Sequence, residues 1–279
     1  MSELLATTLD GVCGEDAYMH VVVGPPDGTG WIRGDEVLSD PTVIDRWLAR
    51  LLAESAAGHR DVAASYLAAW VADAVAVPLL RAVVGQGRGW PTDAASIWLH
   101  EGAGELVIDG LAVAGPLRVS ADDPAAGTRG VEVVHDRDAL RAVQVDEVVL
   151  FLDEVFAAIR SRIPFGVRGM WGSLADAVAS DATWQAHTTG SDVVAAWDAV
   201  QPFIDALDDR LPRPLVRPRL GHAHWEEETA CLTVRGTCCL YYKTVDDDRC
   251  TSCPLGDSAE QAARLDAWLG RELAGDAES

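Results

Sequence analysis

The chain is short of positive charge: 22 Lys plus Arg stand against 44 Asp plus Glu, a formal net charge of −22. So acidic a surface repels nucleic-acid phosphates and anionic membrane faces, and nucleic acid is not an expected partner. Residues 1–10 lack a basic n-region and a long apolar h-region, so no signal peptide is read there. The expected compartment is the cytoplasm, which keeps thiols reduced. An uninterrupted membrane-length apolar run is also missing. The most apolar stretch, 62–80, carries Asp73 near its middle and ends in Val77-Pro78, and a central Asp costs about 2.5–3.5 kcal/mol on insertion. It reads as a buried core helix, with no transmembrane segment expected and peripheral membrane association left open. A phosphate loop in working order is absent too. Gly85-Gln-Gly-Arg-Gly89 ends a helical pattern where a dinucleotide fingerprint would open one, and it reads as a C-cap and loop. No serine-histidine-acid set or paired-carboxylate motif stands out, so catalytic residues beyond a metal centre stay unknown.

Cysteine is sparse but concentrated. Four of the six fall within sixteen residues, Cys238, Cys239, Cys250 and Cys253, as C-C-x10-C-x2-C. Adjacent Cα atoms lie about 3.8 Å apart, below the separation of roughly 4.4–6.8 Å usual across a disulfide, so a Cys238–Cys239 bridge would be strained. Crossed bridges to Cys250 and Cys253 stay open by geometry, but the reducing compartment argues against them. Four thiolates can hold a tetrahedral zinc or an iron-sulfur cluster. Only Cys250–Cys253 forms the usual knuckle. Neighbouring side chains of a strand point to opposite faces, so Cys238 and Cys239 converge on one centre only if the backbone turns there, with Gly236 as a candidate aid. A two-iron centre is broader than one zinc and takes such a pair more easily.

Cys-Cys-Leu-Tyr-Tyr-Lys followed by Cys-Thr-Ser-Cys-Pro-Leu resembles the C-terminal [2Fe-2S] module of the FhuF-type ferric-siderophore reductases, and the four cysteines fall on that family's ligand positions. Gly166-Val-Arg-Gly-Met-Trp-Gly-Ser-Leu-Ala-Asp-Ala-Val178 resembles its short Trp-Gly segment, and the run from Ser65-Tyr66 to Val77-Pro78-Leu79-Leu80 its earlier helical segment. The resemblance implies a [2Fe-2S] cofactor, an iron(III)-siderophore substrate reduced by one electron to release Fe(II), and a separate donor: a ferredoxin, a flavoprotein or a reductase. Asp246, Asp247 and Asp248 would lower the cluster's potential, and Arg235, Lys243 and Arg249 would oppose them; a solvated turn is the plain alternative. Arg213, Arg217, Arg219, His222 and His224 form a locally basic stretch, from which Arg217, Arg219 and His222 are expected to touch substrate or partner unless they merely pair with surface carboxylates. The rival functions are a zinc-stabilised binding protein and an iron-sulfur carrier or sensor that does not act on siderophores.

A chain of 279 residues, 49% hydrophobic, can bury a full core. The expected class is α+β: a mainly helical large domain with an antiparallel sheet over 1–212, and a small C-terminal iron-sulfur module over 213–279, divided at the proline-rich stretch 210–219. A strand is expected at 18–23. Asp40-Pro41 signals a helix start, with an apolar face running to about Ala57; a second helix covers about 60–84. Short strands follow at 96–100, 105–108, 111–113 and 131–134, with Asp109-Gly110 as a hairpin turn. Helices are expected over 138–162, 171–186 and 191–208. Near the cysteines, 230–235 and 240–244 read as strands and 258–273 as a closing amphipathic helix. Cys231 and the ten tryptophans, Trp171 among them, are assigned to packing.

Overall fold

The computed structural model describes residues 3–12, 19–104, 106–244 and 249–275. Asp246, Asp247 and Asp248, to which the sequence assigns a tuning role, lie outside the described residues, as does Cys13.

Helix α1 (Glu3–Asp10) leads to strands β1 (His20–Val23) and β2 (Trp31–Arg33) and to the short α2 (Gly34–Ser39). Helix α3 (Pro41–Glu54) starts where proline preorganises the first turn, and the Asp40 side chain accepts the Thr42 N–H at 2.9 Å. Helix α4 (Arg60–Gln86) is the long apolar one. By length and composition it could cross a membrane, but 67% of its most apolar window is buried inside the fold. It has no polar face because neighbours surround it, as expected of a core helix. Gly87 ends it with φ 67°, a left-handed cap that glycine adopts without strain.

The strands that follow form two small sheets, β3 (Arg88–Gly89), β4 (Ile97–Glu101), β5 (Ile108–Val113), β6 (Leu117–Ser120) and β7 (Val131–Val134). One sheet has the order β1-β5-β4-β2, the other β3-β6-β7. Most pairs are antiparallel, while β1–β5 and β6–β7 run parallel. Of the strand expected at 105–108 only Ile108 is in a strand among the described residues, 105 lying outside them, and it runs on into the expected 111–113 as one strand with Asp109-Gly110 inside it rather than at a turn. Its turn propensity is overridden because Gly110 pairs with both His20 and His100. Arg88–Gly89, expected as loop, pairs with β6.

Helices α5 (Arg137–Arg162), α6 (Val167–Thr188) and α7 (Val193–Arg210) complete the main core, α5 capped by Asp136 and α7 by Asp192. The chain then forms a hairpin, β8 (Arg219–Trp225) and β9 (Glu228–Val234), and closes with α8 (Ser258–Ala274), capped by Asp257. Strand β8 is not evident in the sequence. A small second core of Ala223, Val234, Leu265 and Leu269 joins hairpin to helix. Gly221 lets the layers meet, since a Cβ there would lie 2.6 Å from the Val234 Cγ2.

Candidate metal centre and its cleft

Strand β9 ends at Val234 and delivers Arg235-Gly-Thr-Cys-Cys into a turn. Two glycines permit the descent. A Cβ on Gly236 would overlap the Val216 carbonyl oxygen, and one on Gly172 of α6 would overlap the Thr237 methyl. Gly236 thus provides close approach, while the reversal occurs at Leu240, whose φ is 65°. The expected strand at 240–244 is instead a 3-10 turn, Tyr241–Lys243, because the chain must reverse after the cysteine pair. Lys243 ties this turn to Asp61 in the first turn of α4.

Asp176 of α6 anchors the loop. Its carboxylate accepts the Gly236 N–H at 2.6 Å, the Thr237 N–H at 3.0 Å and the Thr237 hydroxyl, and Arg235 Nε stands 3.5 Å away. Burial pushes its pKa up, and Arg235, the Thr237 hydroxyl and the two amides oppose that shift. This carboxylate is why a Trp-Gly helix and a cysteine loop sixty residues apart belong to one structure. Trp171 itself is core, packed edge-on to Phe156.

The second thiol pair is fixed from the other side. The Cys253 N–H donates to the Cys250 carbonyl at 3.0 Å, closing the knuckle, and the Arg235 N–H donates to the Ser252 carbonyl at 2.9 Å. Gln261 Nε2 and Arg264 Nη2 of α8 both donate to the Cys253 carbonyl at 3.1 Å. Arg249 pairs with Glu260.

These contacts bring Cys239 and Cys250 together, with Cys238 and Cys253 near enough for their charges to be felt among the four. Cys239 and Cys250 are hydrogen-bonded to each other, and this bond, with Arg235 and the Tyr241 amide, holds the Cys239 thiol down at about 6. The same bond pushes Cys250 up, reinforced by burial and the Cys239 and Cys253 charges. Burial pushes Cys238 up against the Leu240 N–H, 3.4 Å from its sulfur. Cys253 is buried. Thiolate donors with amides aimed at sulfur suit iron-sulfur ligation, and Arg235 adds a positive charge beside them. Burial opposes that charge, but Cys239, Asp176, Cys250 and Asp73 outweigh it and raise the Arg235 pKa.

A cleft of about 590 Å³ opens directly on Cys239 and Cys250. Its walls carry Tyr66, Trp70, Trp184 and Tyr241, and its floor Asp73, Asp176, Asp181 and Arg235. Arg81 holds Asp181. Burial drives the Asp73 pKa up to about 7, and its Oδ1 is buried without a hydrogen-bond partner among the described residues. Trp70 and Trp184, assigned to packing from the sequence, are therefore cleft walls. None of the cleft's α4 and α6 residues was singled out as functional from the sequence. The one available signal was Asp73, an acid inside an apolar helix.

Arg217, Arg219 and His222 do not line this cleft. Arg217 pairs with Asp205 of α7 at 2.6 Å, the plain alternative weighed for it. Arg219 is exposed at the start of β8, and His222 Nδ1 lies 3.4 Å from the Cys231 sulfur across the hairpin. Cys231 is half-buried on that pairing rather than packed in the core.

Residues 235–255 match the sequence model of the FhuF 2Fe-2S C-terminal domain. No curated protein matches the chain. The matched stretch holds all four clustered cysteines, and its similarity to that domain gives a [2Fe-2S] cluster as the cofactor.

Proposed function

We propose that this protein is a one-electron reductase of iron(III)-siderophore complexes in the cytoplasm, with Cys238, Cys239, Cys250 and Cys253 as cluster ligands and residues 213–279 as the iron-sulfur module. The observation that carries this reading is the cleft of about 590 Å³ ending on two of the four thiols. That volume is in the range of small-molecule sites, and it brings a bound chelate against the cysteine corner. When bound, the [2Fe-2S] cluster supplies single electrons, the unit needed to convert ferric to ferrous iron. Hard oxygen donors hold ferrous iron far less well, so the metal leaves and the scaffold stays intact.

The protein's own groups do the positioning. Tyr66, Trp70, Trp184 and Tyr241 offer flat apolar faces to the chelate. The Arg235 guanidinium offsets negative charge at the thiols. Asp73 and Asp176 make the floor acidic, which disfavours strongly anionic chelates. The chain shows no nucleotide-binding motif in working order, so electrons come from a separate ferredoxin, flavoprotein or reductase.

The test is stopped-flow mixing of anaerobically reduced protein with a panel of ferric siderophores, with a ferrous-specific chelator present. Rapid reoxidation with one Fe(II) trapped per electron is expected. A reduced cluster that no member of the panel reoxidises defeats the reading in favour of a carrier or sensor, and a colourless protein with stoichiometric zinc defeats it in favour of a binding protein. Serine replacement at any of the four cysteines is expected to remove or shift the red-brown absorption, while Cys231→Ser keeps it.

A further inference from the structure

A second group of metal-binding side chains lies on the four-stranded sheet. Register places His20 of β1 and His100 of β4 on either side of Gly110 of β5, and Trp31 of β2 beside His100. The row Trp31, His100, Gly110, His20 thus runs across the sheet on one face. Glycine is required at its centre: a Cβ on Gly110 would lie 2.7 Å from His20 Nε2 and 3.0 Å from His100 Cβ. The missing side chain leaves the gap across which the two imidazoles approach, with ring centroids 5.1 Å apart.

An irregularity in pairing between His100 and Glu101 shifts the register beside Asp109. In a regular strand Asp109 would face away from Gly110. Here its Oδ1 lies 2.6 Å from His100 Nδ1. One donor atom from each of His20, His100 and Asp109 falls within 4.8 Å of the others. Trp31 backs both imidazoles, with centroids 5.5 Å from His20 and 4.8 Å from His100. His20 is exposed and the other two half-buried, so solvent ions reach the group.

We propose that His20, His100 and Asp109 form a binding site for a divalent first-row transition cation, separate from the cysteine centre. Two imidazoles and one carboxylate are the donors such ions favour, whereas magnesium and calcium require mostly oxygen ligands. The ion takes the place of the proton held between His100 Nδ1 and Asp109 Oδ1, which leaves to solvent. Water fills the remaining positions on the open side. The Asp109-Gly110 pair, which reads as a turn in the sequence, serves here as a ligand beside the gap that admits the ion.

The test is calorimetric titration of the anaerobic, cluster-containing full chain with zinc chloride, with metal content measured after dialysis and the cluster absorption followed as a control. One zinc per chain is expected, unaffected by excess magnesium, at least tenfold weaker in Asp109→Asn and abolished in His100→Ala and His20→Ala. His20 is an exposed residue of an edge strand, so His20→Ala keeps the fold and carries the test if His100→Ala does not. No zinc uptake, or equal uptake by wild type and His20→Ala, overturns the site.

Discussion

At the residue scale, Asp73 and Asp176 illustrate two ways of burying an acid. Asp176 is surrounded by donors and holds the cysteine loop. Asp73 is fully buried, Arg235 opposes its upward shift, and its pKa stands at about 7. An unfolded aspartate titrates at about 3.9, so between those values the folded chain binds more protons than the unfolded one. Asp73's own contribution to stability therefore falls as pH rises from near 4 through 7. Asp73→Asn is expected to remove that slope: near-neutral at pH 4, and stabilising by on the order of 4 kcal/mol at pH 8, read from denaturant midpoints at the two pH values. A difference between the Asp73→Asn and wild-type midpoints that does not grow from pH 4 to pH 8 would contradict the assignment. From the sequence, Asp73 argued only against a membrane span; its place in a cleft depended on α6 and Arg235 arriving beside it.

At the scale of elements, α6 does more than fill the core. Gly172 gives up side-chain volume so that Thr237 can press against the helix, and Asp176, one turn on, accepts the loop's amides. Gly172→Ala separates these roles. Alanine favours the helix by about 1 kcal/mol, while its methyl pushes the cysteine loop off Asp176. Unchanged or slightly higher helical circular dichroism is expected, with iron content per chain reduced at least twofold. Full iron loading in this variant would show that the contact is dispensable. The longer helices were the most legible elements, because apolar spacing and, for α3, the Asp40-Pro41 start are local signals, and Asp136, Asp192 and Asp257 cap α5, α7 and α8 in the same way. Strands were less so. Asp109-Gly110 has turn chemistry, and only pairing with β1 and β4 explains why it stays extended. Likewise 240–244 has strand composition, yet the positive φ of Leu240 reverses the chain there.

At the scale of the whole molecule, the net charge of −22 bears on the separate electron donor proposed above. Like-charged partners repel across solvent, and salt screens that repulsion over a Debye length of about 8 Å at physiological ionic strength. If the donor is an acidic ferredoxin, the second-order rate of cluster reduction is expected to rise several-fold from low salt to about 0.2 M, measured by stopped flow. A rate that falls with salt would place a basic docking patch on one partner. Arg217 is already engaged by Asp205, which makes the basic stretch 213–224 a weaker patch than its composition suggests.

The sequence by itself marked out the metal site, because C-C-x10-C-x2-C brings four soft donors together within sixteen residues; spacing left zinc and iron-sulfur both open, and the family match chose between them. The sequence also determined α3 to α8, whose signals are equally local, while the short α1 and α2 were not read from it. Tertiary structure alone decided what stands beside the thiols. Tyr66, Trp70 and Asp73 come from α4, Asp176, Asp181 and Trp184 from α6, and Arg235 from the end of β9. Residues so far apart in the chain meet only through helix packing and strand register, which no local pattern encodes. The same register sets His20 and His100 across Gly110, the arrangement from which the second metal site is inferred.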